Sequence, residues 1–196
     1  MSQILAKLVG GDLAALTPHL ALSPEAGAAI TDCTEVAAAL ERLERAGFLI
    51  EATRLVAHAL PKREAVWWAC MCVSHTAPPD LRAIDRAARE VAEEWVRQQT
   101  DKTRRIAFGH AQAGGCTSPE AWAAIAAFWS GDSMSPEGQP AVPPAPHFAG
   151  TAAAGAVALA AVRGDVTRRE ARLRRFLESG RNIAAGGPGR LPAETA

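Results

Sequence analysis

Tyrosine is absent from this chain of 196 residues, and aromatic residues make up only 5% of it. The large rings that remain include Trp67, Trp68, Trp95, Trp122 and Trp129. Wide apolar side chains being so scarce, these indoles are expected in the core rather than around a ligand. Excess charge of either sign is also missing, since 21 Lys and Arg face 21 Asp and Glu. That balance removes the broad positive footprint of a nucleic-acid binder. No apolar run is long enough for a bilayer: the most membrane-like stretch, 152–162, falls far short of the ~20 residues required. Cys33, Cys70, Cys72 and Cys116 show no compact spacing. They read as free thiols of a cytosolic protein, not as a disulfide framework. Residues 1–7 lack a basic region followed by an apolar core, so no secretory signal is expected and the expected location is the cytoplasm.

What is abundant is alanine, mixed with Leu, Glu and Arg, a composition that favours helix because alanine loses no side-chain entropy on ordering. The clearest single segment is 61–75. Pro61 stands where a helix begins, Glu64 lies in the positive-end turn, and Ala65 to Val73 contains no polar residue. A surface helix would show one apolar stripe, so a helix that is apolar all round is expected to be enclosed by others.

Residues 1–31 read as a weakly ordered lead-in with a short helix over 2–9. Asp32 and Glu35 have capping-box spacing before a helix that buries Val36, Leu40 and Leu43, and Gly47 ends it. A second helix, 48–59, carries Glu51, Arg54 and His58 opposite its apolar face. After Pro78-Pro79 an amphipathic helix follows, with Leu81, Ile84, Ala88, Val91 and Trp95 inward. The next, 101–113, is expected to bury Ile106 and Phe108. Ser118-Pro119-Glu120 is a strong start signal for another. Between 131 and 147 Pro136, Pro140, Pro143, Pro144 and Pro146 forbid a helix. This segment reads either as a free linker or as a strap that buries Met134 and Val142. A helix of small residues over 151–162 and a last one over 166–179, burying Val166, Leu173, Phe176 and Leu177, complete the chain. Residues 181–196 read as a disordered tail. The expectation is an all-α domain over 32–180: about seven helices packed as pairs, in an orthogonal bundle or short solenoid-like array around helix 61–75.

Chemistry is thinly signalled. Cys70, Cys72 and His75 suggest a metal site, but at ~100° per residue Cys70 and Cys72 point to opposite sides of a helix. Only Cys72 and His75 share a face, with Cys116 or His110 needed from elsewhere. No Glu is followed by His three residues later, which removes a di-iron bundle. Cys116, the one cysteine expected to be exposed, follows Gly114-Gly115 without a nucleophile motif. Residues 114–118 lack the lysine and the preceding strand of a phosphate loop. No catalytic residue, metal or cofactor is expected. The last helix is locally basic: Arg163, Arg168, Arg169, Arg172, Arg174, Arg175 and Arg181 oppose Asp165, Glu170 and Glu178, a net +4. No aromatic residue alternates with these arginines for base stacking, so an acidic protein partner suits them better than nucleic acid.

Leu60-Pro61-x-Arg63-x-x-x-Trp67-Trp68-Ala69, together with Ala127-Phe128-Trp129-Ser130-Gly131 and the proline strap, resembles an uncharacterised bacterial family of helical proteins. The resemblance covers roughly 33–165. It is loosely associated with type VI secretion gene neighbourhoods, which implies an accessory or adaptor role and supplies no catalytic residues. The reading is a non-enzymatic interaction module with a protein partner, docking through Arg168, Arg172 and Arg175 and through the strap at Met134 and Val142. The alternative is a small-ligand-binding protein or enzyme with a polar pocket near Glu51, His58 and His110.

Overall fold

A computed structural model describes residues 5–8 and 12–195. Among these residues it contains ten α-helices and no strand: α1 (Leu13–Leu16), α2 (Pro24–Ile30), α3 (Val36–Arg45), α4 (Leu49–Ala59), α5 (Lys62–His75), α6 (Ala83–Gln98), α7 (Asp101–Ala113), α8 (Pro119–Trp129), α9 (Phe148–Ala161) and α10 (Arg169–Ala184). The fold is all-α as expected, with more helices than the expected seven or so. The lead-in accounts for two of the additional ones. Asp12 caps α1, and the Ser23 hydroxyl accepts from the Ala26 N–H at 3.1 Å to start α2. Ser23-Pro24-Glu25 is the same start signal that opens α8 at Ser118-Pro119-Glu120. Leu13, Leu20, Ala26 and Ile30 are buried, so residues 12–31 are a packed part of the domain rather than a loose lead-in. Of the helix expected over 2–9, residues 5–8 are described and form a turn at Ala6 and Lys7 instead of a helix; the rest lies outside the described residues.

Helix boundaries follow local chemistry. At the end of α3 Gly47 adopts φ +83°, which allows the Phe48 N–H to reach the Leu43 carbonyl at 2.8 Å and the Gly47 N–H to reach that of Glu44 at 3.1 Å. The start of α3 differs from expectation. Glu35 is its N-cap without a side-chain bond, and the Asp32 carboxylate, instead of capping, takes the Arg42 guanidinium. Val36, Leu40 and Leu43 are buried as the spacing requires.

The helix expected at the centre is there. α5 packs against α4, α6, α8, α9 and α10. Trp68 is fully enclosed and its indole N–H donates to the Phe176 carbonyl at 2.8 Å, satisfying the one polar atom it carries inside. α9 is equally internal and touches α4, α5, α8 and α10. A late helix seated among early ones makes this a bundle; in a stacked array each unit would meet only its neighbours.

Two apolar residues are not where the pattern put them. Ile106 and Val166 are 42% and 60% exposed, because α7 turns Thr103, Arg104, Ala107 and Ala111 inward and Val166 sits in a 3₁₀ turn (Val166–Arg168) ahead of α10. The proline segment is ordered, but its anchorage is polar. Val142 is 51% exposed and Met134 half-buried. The Met134 N–H donates to the Val142 carbonyl at 2.8 Å, closing the segment on itself. Arg104, 3% exposed, donates to the carbonyls of Phe128 at 3.2 Å and Ser133 at 2.8 Å, while Arg105 donates to that of Ser135 at 2.7 Å. Residues 181–196 were expected to be disordered. α10 instead runs to Ala184, and the segment after it lies along α5 and α10.

Candidate functional site

The basic face forms where the turn before α10 meets that last segment. Asp165 accepts from the Thr167 N–H at 2.9 Å and so sets the entry to α10. One turn into the helix, Arg172 is only 6% exposed. Its Nη1 donates to the Arg163 carbonyl at 2.5 Å and that of Ala161 at 3.2 Å, capping the end of α9. Its Nε and Nη2 both reach Glu194, the latter at 2.6 Å. A buried arginine that shares its donors between a helix end and a carboxylate is thus held in one orientation.

Arg168 lies 3.6 Å from the Glu194 carboxylate and donates to the Thr195 carbonyl at 3.1 Å. The Glu194 N–H donates to the His75 carbonyl at 2.7 Å, and His75 Nδ1 meets the Pro192 carbonyl. Arg175 is exposed on the rim of the same depression of about 520 Å³. Hydrogen bonds from Arg172 hold the Glu194 carboxyl below the usual carboxylate range, against the opposite pull of burial. Upstream, the Trp67 indole N–H donates to the Pro188 carbonyl at 2.8 Å, and the Ser179 hydroxyl to that of Gly189 at 2.5 Å. The groove therefore already holds an acidic extended segment, the chain's own 192–195.

The three arginines singled out from sequence do converge, but not as three equivalent surface charges. Arg172 is a buried clamp and only Arg168 and Arg175 face outward. Met134 and Val142 are not part of this face: their segment is anchored to α7 and α8. Glu51, His58 and His110 do not form one pocket either. His58 and Glu51 line different depressions and His110 lines neither. His58 meets instead the rings of His19, centroids 5.9 Å apart, while His147 stacks on His19 at 4.1 Å. Burial, reinforced by His19 and His147, lowers the His58 pKa to about 4. These rings stack and do not converge on a point, and among the described residues no group of three or more His, Cys, Asp or Glu is placed to hold a metal.

Cys70 and Cys72 are fully buried, which pushes both thiols up. Cys116 is half-buried, and so is Cys33, which the sequence pattern did not single out as accessible.

Buried charges were the class of residue that periodicity missed. Asp85, 4% exposed, accepts from Arg82 at 2.6 Å and from the Ser118 hydroxyl at 2.7 Å. Glu120, fully buried, takes Arg163 at 2.5 Å through one oxygen while the other has no partner. Its position in a first helical turn gave a reason for an acid, and gave none for its burial. Glu194 was visible as the one acid of a Gly/Pro/Ala-rich stretch, although nothing local tied it to Arg172, 22 residues earlier.

Among the described residues no helix is long and apolar enough to cross a membrane. No curated protein and no solved structure matches the chain. The model of one family does, that of a family of unknown function (DUF6931), over residues 39–184, from within α3 to the last residue of α10. With α4 to α10 and most of α3 inside that match, which spans well over half of the sequence, the chain belongs to this family.

Proposed function

We propose that the protein is a non-enzymatic interaction module, an adaptor or accessory protein of a bacterial type VI secretion apparatus, which receives an acidic extended segment of a partner on the basic face of α10. The observation that carries this reading is the occupant of that groove. Glu194 is gripped by Arg172 and approached by Arg168, with its backbone N–H on the His75 carbonyl. A face that accepts a short acidic strand of its own chain has the charge, the side-chain donors and, in the His75 carbonyl, the backbone acceptor to take the same chemistry from another. Arg168 and Arg175, both at the rim, would select for acid by steering and by register.

The test uses the full chain and a labelled peptide of sequence Leu-Pro-Ala-Glu-Thr. Replacing Glu194→Ala frees the groove, so peptide binding is expected to tighten by about tenfold, the equivalent of ~1.4 kcal/mol. A peptide with Gln in place of Glu is expected to bind no better than background. Charge reversal at Arg168→Glu and Arg175→Glu should abolish binding, and in the native cell it should remove crosslinks from this face to secretion components. Equal binding of the Glu and Gln peptides, or crosslinks unchanged by the double reversal, would overturn the reading.

A further inference from the structure

On the opposite end of α5 from the Glu194 groove lies a cleft of about 360 Å³, within the size range of small-ligand sites. We propose that this cleft binds a small anion attached to a flat apolar ring. Its argument is convergence of charge. Lys7, Arg63, Arg97 and Arg190 line it, from the lead-in, α5, the end of α6 and the segment after α10. Bringing four cations together from four places in a chain of zero formal charge is unfavourable unless anions answer them. Those on hand are too few. Glu64 is the one acid in the lining, 3.2 Å from Lys7 and 3.8 Å from Arg63; Glu94 takes Arg97 at 2.6 Å and Glu93 also acts on Arg97, which leaves no acid for Arg190. Arg190 is exposed and has no acidic partner among the described residues.

Two further observations point the same way. Arg63 donates its Nε to the Val96 carbonyl at 2.8 Å. That bond fixes the guanidinium and leaves its terminal nitrogens with only the distant Glu64 contact, so its fork is oriented in advance for an oxyanion. The first turn of α5 lines the cleft, and its N-cap is Pro61, which offers no side-chain acceptor to the free N–H groups there. The apolar half is Trp67, one turn along. Its N–H is committed to the Pro188 carbonyl, which holds the half-buried indole in place, with Val96 and Ile183 beside it. An indole held at the edge of a cationic cleft is a stacking surface for a ring whose substituent is anionic. A nucleoside monophosphate and an aromatic carboxylate share this chemistry. The site is separate from the acidic-peptide groove, so either can fail alone.

The experiment is a calorimetric titration of the full chain, with tryptophan fluorescence as second readout. The probes are adenosine monophosphate, indole-3-acetate, adenosine and inorganic phosphate. At least one ring-bearing anion is expected to bind about tenfold or more tightly than adenosine or phosphate, and to quench a signal that Trp67→Phe removes. Which of the two anions does so identifies the source. Arg190→Gln, a substitution at an exposed side chain, is expected to weaken that binding several-fold while the melting temperature stays constant. Absence of heat with both ring-bearing anions at millimolar concentration, binding as tight for adenosine as for its phosphate, or indifference to Arg190→Gln would each overturn the proposal.

Discussion

Single positions in this molecule are governed by how closely backbones approach and by where charge is enclosed. Gly180 is the first case. A Cβ added there would stand 2.8 Å from Val56 Cγ1 and 3.3 Å from the Trp68 ring, which is itself fully buried. Neither neighbour has room to move, so Gly180→Ala is expected to destabilise by about 1–3 kcal/mol despite the gain in helix propensity. A melting temperature equal to or above that of the parent would contradict this packing. Glu120 is the second. Removing it leaves Arg163 facing an enclosed space without its carboxylate, a loss of about 3–5 kcal/mol for a fully buried pair. Because Arg163 keeps some contact with solvent, the lower end applies. The double replacement Glu120→Leu with Arg163→Met is expected to be more stable than Glu120→Ala alone, as read from urea unfolding. A double variant less stable than the single one would mean that the pair contributes net stability.

At the scale of elements, the proline segment and the last segment are ordered by side chains belonging to other elements. Arg104 joins the strap to α7 and α8 through the Phe128 and Ser133 carbonyls, with its guanidinium 5.2 Å from the Phe128 ring centre. Arg104→Met keeps the apolar stem and loses these bonds. Proteolytic cleavage within 132–146 is therefore expected to accelerate several-fold, while the helical circular dichroism stays near the parent value. Equal cleavage rates would show that the Arg105 bond to the Ser135 carbonyl and the buried Pro144 of the strap suffice to hold it. This dependence on remote partners is what divides the legible elements from the others. α5 and α8 carry their own start and stop signals and α3 its stop at Gly47, and Val36, Leu40 and Leu43 lie where spacing alone puts them. α2 carried the same Ser-Pro-Glu signal as α8 but sits among prolines and glycines, and composition outweighed it. Residues 185–195 have no apolar period at all. Their order comes from Trp67, Ser179 and Arg172, groups with no local relation to them, so composition reads as disorder. In the groove, the arginines were visible as charge; their division into a buried clamp and two rim cations depends on Glu194 arriving from beyond the helix.

For the molecule as a whole, these enclosed groups set the response to acid in two stages. His58 lies in the fold between α4 and α9, with Gly150 so close that a Cβ there would stand 2.5 Å from its Nδ1. His19 and Arg54, which line that depression with it, and His147, stacked on His19, supply no anion. The folded ring accepts a proton only near pH 4, against 6.5 for the ordinary group. Between those values the unfolded chain binds a proton that the folded one refuses, so stability falls as pH drops from about 6.5 towards 4 and is unaffected by this group above that window. At ~1.4 kcal/mol per pH unit the ceiling is about 3 kcal/mol, and the partly exposed ring makes the actual loss smaller. Carboxylates act later. Arg172 lowers Glu194, and Arg105 and Arg104 lower Asp101, so the stability these acids contribute is complete above their ordinary values near 4 and is lost only below them. Thermal melts across pH 7 to 3 should show a shallow decline beginning near 6.5, then a steep one below about 4. His58→Gln should flatten the first limb and leave the second, since the amide does not titrate. In hydrogen exchange, residues 192–195 should lose protection along the second limb, as Glu194 takes up its proton and Arg172 lets it go. A single steep transition with no slope above pH 5 in the parent chain would show that His58 can be charged without cost, and hence that α4 and α9 separate there more easily than their packing implies.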